Sequence, residues 1–375
     1  MTPAARHLFS PGKKRILALD GGGVRGALSI AFLERLEAVL AEINGAPVRL
    51  CDWFDLIGGT STGAIIAGGL ALGHSAAEMR DFYHRLAPKV FKPPRFAIPG
   101  WRARFDARRL HAELKEAFSG LTLGCDELQT GLAVITKRMD TGSCWILLNN
   151  PRSKYWETPA DESFLGNRHY PLANIIRASA AAPFYFDPET IEIARGAPPG
   201  LFLDGGLTPH NNPALALYLA VTLPPHGLQW RSGPEDLFIL SVGTGGYRVT
   251  LSAAEARRAF AVELAMKALG SQVCDGEDLA LTLMSWMGRG TLPWPVNGEL
   301  GDLGPVVPPF GEQFRFLRCD ARLEPGWLAD VGLDVTAPKA RSLRDLGAAT
   351  NVPLLYDIGR RAAERQITRE VLAGW

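Results

Sequence analysis

Two glycine-rich turns constrain the fold of this chain more than any other feature of its sequence. The first turn, residues 20–26, follows a short apolar run (15–19) and precedes a segment (27–43) in which apolar residues recur at helical spacing. The second turn, residues 59–63, also lies between a short apolar run and an apolar, helix-like segment (64–72). Each succession of strand, glycine turn and helix predicts a βα unit.

The rest of the chain continues this alternation. Strand-like runs occur at 132–136, 145–148, 201–203, 237–242 and 314–317. Strands that alternate with helices predict an α/β fold with three layers, α/β/α, and a mainly parallel central sheet. We expect one domain over residues 12–335, with its motif core at 16–245, and a C-terminal helical tail (336–375) packed on it.

Two segments are predicted to lie outside that core as lids or inserts. Residues 88–109 mix basic with aromatic side chains, a composition that suits either contact with a lipid surface or a solvated loop. Residues 287–310 are rich in glycine and proline, which suits either a mobile flap or a plain connecting loop.

Composition excludes several classes of function. The 40 basic and 39 acidic residues give a net charge of +1, so no nucleic acid polymer is expected as a partner and any membrane contact should be local and transient. The apolar run at 57–72 is shorter than the roughly 18 to 20 residues of a membrane span. Five dispersed cysteines without a Cys-x-x-Cys pair predict free thiols, no metal site and a cytoplasmic location.

The second turn has the composition of a nucleophile elbow. Gly59-Thr60-Ser61-Thr62-Gly63 fits Gly-x-Ser-x-Gly, in which a strained strand-to-helix turn exposes the serine between small neighbours. The following helix would direct the positive end of its dipole at developing negative charge. The same residues are also compatible with a small-residue turn that packs a helix on a sheet.

The first turn has two functional interpretations. Gly21, Gly23 and Gly26 match the dinucleotide fingerprint of an oxidoreductase, but the acidic residue expected about 20 positions later is not in place. Alternatively, its backbone N–H groups form an oxyanion hole. The residues of that hole would be Gly21, Gly22, Gly23, Val24, Arg25 and Gly26, with Arg25 adding positive charge.

A third segment carries a candidate carboxylate. The apolar run 201–203 ends in Asp204, which Gly205 and Gly206 leave uncrowded. An aspartate at the carboxyl end of a strand is well placed for an active site. An Asp-Gly pair is also common in ordinary turns.

Together and in this order, the three segments resemble the motifs of the patatin-like phospholipases. The segments 178–186 (Ala-Ser-Ala-Ala-Ala-Pro-Phe-Tyr-Phe) and 211–213 (Asn-Asn-Pro) are also similar to stretches of that family. The resemblance implies a patatin-like fold and a Ser61–Asp204 dyad without a catalytic histidine. It further implies a glycine-rich oxyanion hole, with Gly59, Gly63, Gly205 and Gly206 in supporting positions.

The implied activity is that of a phospholipase A or lysophospholipase that needs no metal or cofactor. Its substrate would be a phospholipid or lysophospholipid, met at a membrane surface, with peripheral contact at the inner membrane. Some bacterial members of the family are antiphage effectors activated by a cyclic dinucleotide, so such an activator is a further expectation. The alternatives are a general carboxylesterase, a triad that includes His210 or His226, and a binding protein on an inactive scaffold.

Overall fold

A computed structural model describes residues 1–92 and 103–375, and these residues form a nine-stranded mixed sheet. The strands are β1 (Lys14–Leu19), β2 (Leu56–Thr60), β3 (Gly131–Arg138), β4 (Ser143–Leu148), β5 (Glu189–Ile191), β6 (Gly200–Asp204), β7 (Leu237–Val242), β8 (Gly288–Gly290) and β9 (Phe314–Cys319). The order across the sheet is β5-β6-β3-β2-β1-β7-β9-β8, and β4 pairs with β3 off this path.

Helices surround the sheet. They are α1 (Pro3–Phe9), α2 (Gly26–Asn44), α3 (Leu50–Trp53), α4 (Thr62–Ala71), α5 (Ala76–Val90), α6 (Ala107–Ala117), α7 (Leu172–Ser179), α8 (Ala214–Thr222), α9 (Ala253–Arg258), α10 (Ala261–Met287), α11 (Pro325–Asp330), α12 (Ala337–Ser342), α13 (Val352–Gln366) and α14 (Arg369–Leu372). None of the helices in the two described ranges combines the length and apolar character needed to cross a membrane.

The two faces of the sheet pack into separate cores, as alternation along a strand requires. Leu17 and Leu19 of β1 join a core with α2, α4, α7 and α13, whereas Ile16 and Ala18 join a core with α8 and α10. The six strands β1, β2, β3, β7, β8 and β9 form parallel pairs, and β4, β5 and β6 join the sheet through antiparallel pairs. The prediction of a three-layer, mainly parallel α/β/α fold is confirmed.

The long strand β3 brings two distant parts of the chain together. Along one edge it pairs with β2, and Ile135 lies opposite Thr60. The same edge continues with β6, where Thr136 lies opposite Asp204, because β4 already occupies the other edge. Ser61 follows Thr60 directly, so the register of β3 places the serine and the aspartate side by side.

The first predicted lid segment is only partly a loop. Residues 88–90 complete α5 and residues 107–109 begin α6. Phe105 is buried and its ring lies 5.3 Å from that of Phe91, so both aromatic side chains belong to the core instead of a lipid-facing surface. The part of the prediction that concerns residues 93–102 lies outside the described residues.

The second predicted lid segment contains the edge strand β8, and the tail packs on the helical layer. Residues 287–310 include the end of α10, strand β8 and irregular chain. The ring of Phe310 in that irregular chain lies 5.3 Å from the ring of Trp286. In the tail, α13 crosses α2 so closely that a Cβ on Gly359 would overlap the carbonyl of Leu28. The tail therefore completes the helical layer that covers β1.

Candidate active site

The elbow between β2 and α4 holds Ser61 in a strained backbone conformation. Its φ of 55° and ψ of −120° lie outside the regions that residues with a side chain favour. The turn is tight, since a Cβ on Gly63 would overlap the carbonyl of Leu19 at the end of β1. The N–H of Ser61 donates to Ser179 Oγ at 2.8 Å, and that hydroxyl donates in turn to the carbonyl of Ile135 at 2.6 Å.

Asp204 accepts a hydrogen bond directly from the hydroxyl of this serine. Ser61 Oγ donates to Asp204 Oδ2 at 2.7 Å, and the backbone N–H of Gly206 donates to Asp204 Oδ1 at 2.7 Å. The aspartate is 5% exposed. Gly205 has no room for a side chain, because its Cβ would overlap the carbonyl of Ile135.

Burial changes the acidity of this carboxyl. It raises the pKa of Asp204 to about 6, although hydrogen bonds from Ser61 and Gly206 and the positive charge of Arg177 lower it. A carboxylate with a pKa near 6 is ionised at neutral pH and is more basic than an ordinary aspartate. It is therefore suited to accept the proton of the serine hydroxyl.

The glycine-rich turn after β1 lies beside the serine. A Cβ on Gly21 would come within 3.3 Å of Ser61 Cβ. Within residues 1–92 and 103–375, the N–H groups of Gly22 and Gly23 donate to no protein atom, whereas that of Gly21 donates to the carbonyl of Asn211 at 3.0 Å. Two backbone donors next to a nucleophile are the elements of an oxyanion hole.

The other residues of the turn support its shape. Val24 N–H donates to the carbonyl of Leu346 at 2.9 Å, and the Gly26 N–H donates within the turn. The buried Arg25 donates through Nη1 to the carbonyl of Gly245 at 2.6 Å, and its Nε lies 3.4 Å from the carbonyl of Gly22. Of the six predicted oxyanion-hole residues, Gly22 and Gly23 therefore offer the unoccupied backbone donors.

A largely apolar cavity of about 480 Å³ opens onto these groups. Ser61, Asp204 and the glycine turn line it together with one face of α10, whereas none of residues 287–310 does. Most of its remaining wall is aromatic and aliphatic, a surface that suits a hydrocarbon chain. The apolar side chains of that wall include Ile65, Leu86, Phe91, Leu110, Phe184, Phe186, Leu207, Met266, Leu269 and Val273.

The alternatives from the sequence find less support. The imidazoles of His210 and His226 form no hydrogen bond with Ser61 or Asp204, and the contact of His210 with the elbow is through its backbone carbonyl, which accepts from Thr60 Oγ1 at 2.7 Å. The glycine turn faces a serine and a carboxylate, which a dinucleotide-dependent dehydrogenation would not require.

Several residues of the site could not be identified from the sequence. Asn211 donates through Nδ2 to the carbonyl of Gly21 and to Glu277 Oε1 of α10, so it connects the glycine turn with the cavity wall. Arg177 is buried behind Asp204 and donates to the carbonyl of Asp187 at 2.7 Å. The motif-like segments at 178–186 and 211–213 indicated these neighbourhoods without indicating the contacts.

A buried ion network fixes the base of the glycine turn. Arg318 of β9 donates to Asp20 at 2.7 Å, to Asp320 at 2.8 Å and to Ser241 Oγ at 2.7 Å. Burial raises the pKa of Asp20 to about 8, although the charge of Arg318 lowers it. Asp320 also accepts the N–H of Gly245 at 2.8 Å, so the network joins the carboxyl ends of β1, β7 and β9.

Comparison with known proteins finds similarity to phospholipases. A model of the family described as patatin-like phospholipase matches residues 17–218. The chain is 32% identical over 270 residues to a cGAMP-activated phospholipase of Vibrio cholerae, across 67% of this chain and 69% of that protein.

Two proteins of Escherichia coli are similar to a comparable degree. One is a cGAMP-activated phospholipase, 30% identical over 239 residues, and the match spans 64% of this chain and 64% of that protein, less than two thirds of its length. The other is a cUMP-AMP-activated phospholipase, 30% identical over 258 residues, across 68% of this chain and 73% of that protein.

Proposed function

The chain belongs to the patatin-like phospholipase family, and on this basis we propose that it is a serine-dependent lipid acyl hydrolase of the phospholipase A or lysophospholipase type. The observation that carries the proposal is the 2.7 Å hydrogen bond from Ser61 Oγ to Asp204 Oδ2, beside two unoccupied backbone donors and an apolar cavity. This arrangement supports acyl transfer through a Ser–Asp catalytic dyad.

In the first half-reaction, Ser61 Oγ attacks the ester carbonyl carbon and Asp204 takes the hydroxyl proton. The carbonyl oxygen becomes an oxyanion that accepts hydrogen bonds from the N–H groups of Gly22 and Gly23. When the tetrahedral intermediate collapses, the ester C–O bond breaks and Asp204 returns the proton to the leaving alcohol. In the second half-reaction, Asp204 takes a proton from a water molecule whose oxygen attacks the acyl carbon. The bond between that carbon and Ser61 Oγ then breaks, Asp204 returns the proton to Ser61 Oγ, and the fatty acid leaves.

The pH dependence of the reaction should follow the ionisation of Asp204. The raised pKa of about 6 leaves the base protonated, and therefore inactive, at lower pH. We expect kcat/KM on a neutral ester to increase as pH rises through about 6 and then to level off, in rate measurements from about pH 4.5 to 8. Melting curves at each pH separate this change from unfolding. A profile that falls over the same interval would exclude Asp204 as the base.

We also propose that a cyclic dinucleotide activates the chain and that the activity serves antiphage defence at the membrane. The proposal is supported by the cGAMP-activated and cUMP-AMP-activated phospholipases to which the chain is similar. The test is fatty-acid release from phospholipid vesicles by the purified chain, with and without cGAMP or cUMP-AMP, and with Ser61→Ala as the control. Release that requires Ser61 but is unaffected by both nucleotides would retain the hydrolase and remove this mode of activation.

A further inference from the structure

Two arginine side chains in the cavity wall lie beside one tyrosine ring. The guanidinium carbon of Arg25 is 5.1 Å from the centre of the Tyr247 ring, and that of Arg344 is 5.2 Å from it. Both arginines and the tyrosine line the same cavity as Ser61. Positive charge is thus concentrated at one part of a cavity whose remaining wall is mostly apolar.

Neither guanidinium forms a salt bridge with a carboxylate in the part of the chain that the structure describes. Arg25 donates to backbone carbonyls, and Arg344 donates through Nε and Nη2 to the carbonyl of Leu323 at 3.4 and 3.0 Å. A guanidinium has more N–H donors than these bonds use. Both groups therefore retain part of their hydrogen-bonding capacity.

The carboxylates of the same region form other pairs, and in the described residues none of them is in a salt bridge with Arg25 or Arg344. Asp345, the next residue after Arg344, pairs instead with Arg104 at 3.1 Å. Glu263 and Lys267, which also line the cavity, pair with each other at 3.5 Å. Glu277 accepts a hydrogen bond from Asn211; burial raises its pKa, although the positive charge of Arg25 lowers it. Arg25 therefore faces one carboxyl, Glu277, without a salt bridge to it, and Arg344 forms no salt bridge with a carboxylate of the described residues.

We propose that Arg344, together with Arg25 beside Tyr247, forms a binding site for the phosphodiester group of the lipid substrate. Guanidinium groups bind phosphate oxygens through paired, charge-assisted hydrogen bonds. The inference rests on the proposed phospholipase function, in which the phosphodiester lies a few bonds from the scissile ester. The apolar wall holds the acyl chain, and Arg344 holds the head group.

Arg344 lies outside residues 17–218, the part of the chain that the family model matches. It follows α12 in the C-terminal tail, and its neighbour Leu346 accepts the N–H of Val24 from the glycine turn. The tail therefore brings a charged side chain to the cavity and also contacts the oxyanion turn. In this arrangement Arg344 selects phospholipid over neutral lipid.

The test compares one variant on two substrates. Arg344→Gln should lower kcat/KM on phospholipid vesicles about tenfold to hundredfold, the effect of losing charge-assisted hydrogen bonds. Its kcat/KM on a neutral ester of the same acyl chain should stay within about twofold of the unchanged protein. Arg344→Lys, which keeps the charge but loses the paired geometry, should show a smaller loss on phospholipid alone.

Arg341→Gln is the matched control, because it removes the same charge from an exposed position at the end of α12. It should leave both substrates unaffected. Equal losses on both substrates in Arg344→Gln, or no loss on either, would overturn the site. Failure of the unchanged protein to hydrolyse either ester would instead remove the proposed function, and the inference with it.

A cyclic dinucleotide also contains phosphodiester groups. A further measurement therefore distinguishes binding of the lipid at Arg344 from binding of the nucleotide there. The concentration of cGAMP that gives half-maximal activation is measured with the neutral ester as substrate. We expect the same value for Arg344→Gln and for the unchanged protein. An increase of about tenfold or more in this value, without loss of phospholipid preference, would assign Arg344 to the nucleotide and overturn the lipid assignment.

Discussion

Replacing Ser61 with alanine should lower kcat for ester hydrolysis by about 10⁴-fold to 10⁶-fold, the range for loss of a nucleophile. The variant retains the Cβ that the strained backbone at φ 55° already carries, so the melting temperature should change little. Asp204→Asn should cost about 10²-fold to 10⁴-fold, because an amide receives the same hydrogen bond from Gly206 but cannot take a proton.

Matched controls make these losses specific. Ser163→Ala and Asp330→Asn make the same chemical changes at exposed positions and should leave the rate unaffected. The measurement is single-turnover and steady-state hydrolysis of a chromogenic ester, with a melting curve for each variant. Retention of more than about a tenth of the rate by Ser61→Ala would exclude this serine as the nucleophile.

The second large effect concerns stability. Arg318→Met leaves Asp20 and Asp320 without their buried cation, and breaking a buried pair in this way costs about 3 to 5 kcal/mol. Arg315→Met, on the same strand but partly exposed, is the control and should change the free energy of unfolding much less.

The loss in Arg318→Met should depend on pH. Burial already raises the pKa of Asp20 from its ordinary value to about 8. Removal of the positive charge of Arg318 should raise this pKa further. An acid with a raised pKa in the folded state stabilises the fold below its unfolded pKa, and this contribution disappears as pH rises through the folded pKa. Urea unfolding should therefore show a larger difference from the unchanged protein at pH 8 than at pH 5. A difference within about 1 kcal/mol at pH 8 would contradict this role.

Local sequence patterns were sufficient to predict the βα units that carry the glycine turn and Ser61. Strand residues before a glycine turn and helical spacing after it are short-range signals, and both β1–α2 and β2–α4 occur as predicted. Strands β5 and β8 were missed, since three residues are too few for a periodic pattern. The prediction that Asp204 ends a strand is confirmed.

Contacts between distant segments could not be predicted. The proximity of Ser61 and Asp204 depends on β3 pairing with both β2 and β6 along one edge, a register that sequence spacing does not specify. Helix α10 was missed as a cavity wall, although Met266, Val273 and Glu277 recur at helical spacing. A periodic stripe identifies a buried face but not the surface against which it packs.

The loop predictions show the same limit of local patterns. Residues 88–109 were predicted as a single insertion from their prolines and mixed composition, yet Pro88 lies inside α5 and Phe105 is buried. Aromatic side chains next to basic ones are compatible with a lipid surface and equally with a core edge where arginine covers an aromatic ring. Here Arg104 lies 5.2 Å from the ring of Phe105, which corresponds to the second arrangement.

The most direct test of the Ser61–Asp204 device is covalent labelling with a long-chain alkyl fluorophosphonate, which reacts with activated serine nucleophiles. Mass spectrometry of the tryptic digest should find one adduct per chain, on the peptide of residues 50–80, with fragment ions assigning it to Ser61. Asp204→Asn should be labelled far more slowly. An adduct on another residue, or an unmodified Ser61 in protein that hydrolyses lipid, would contradict the mechanism.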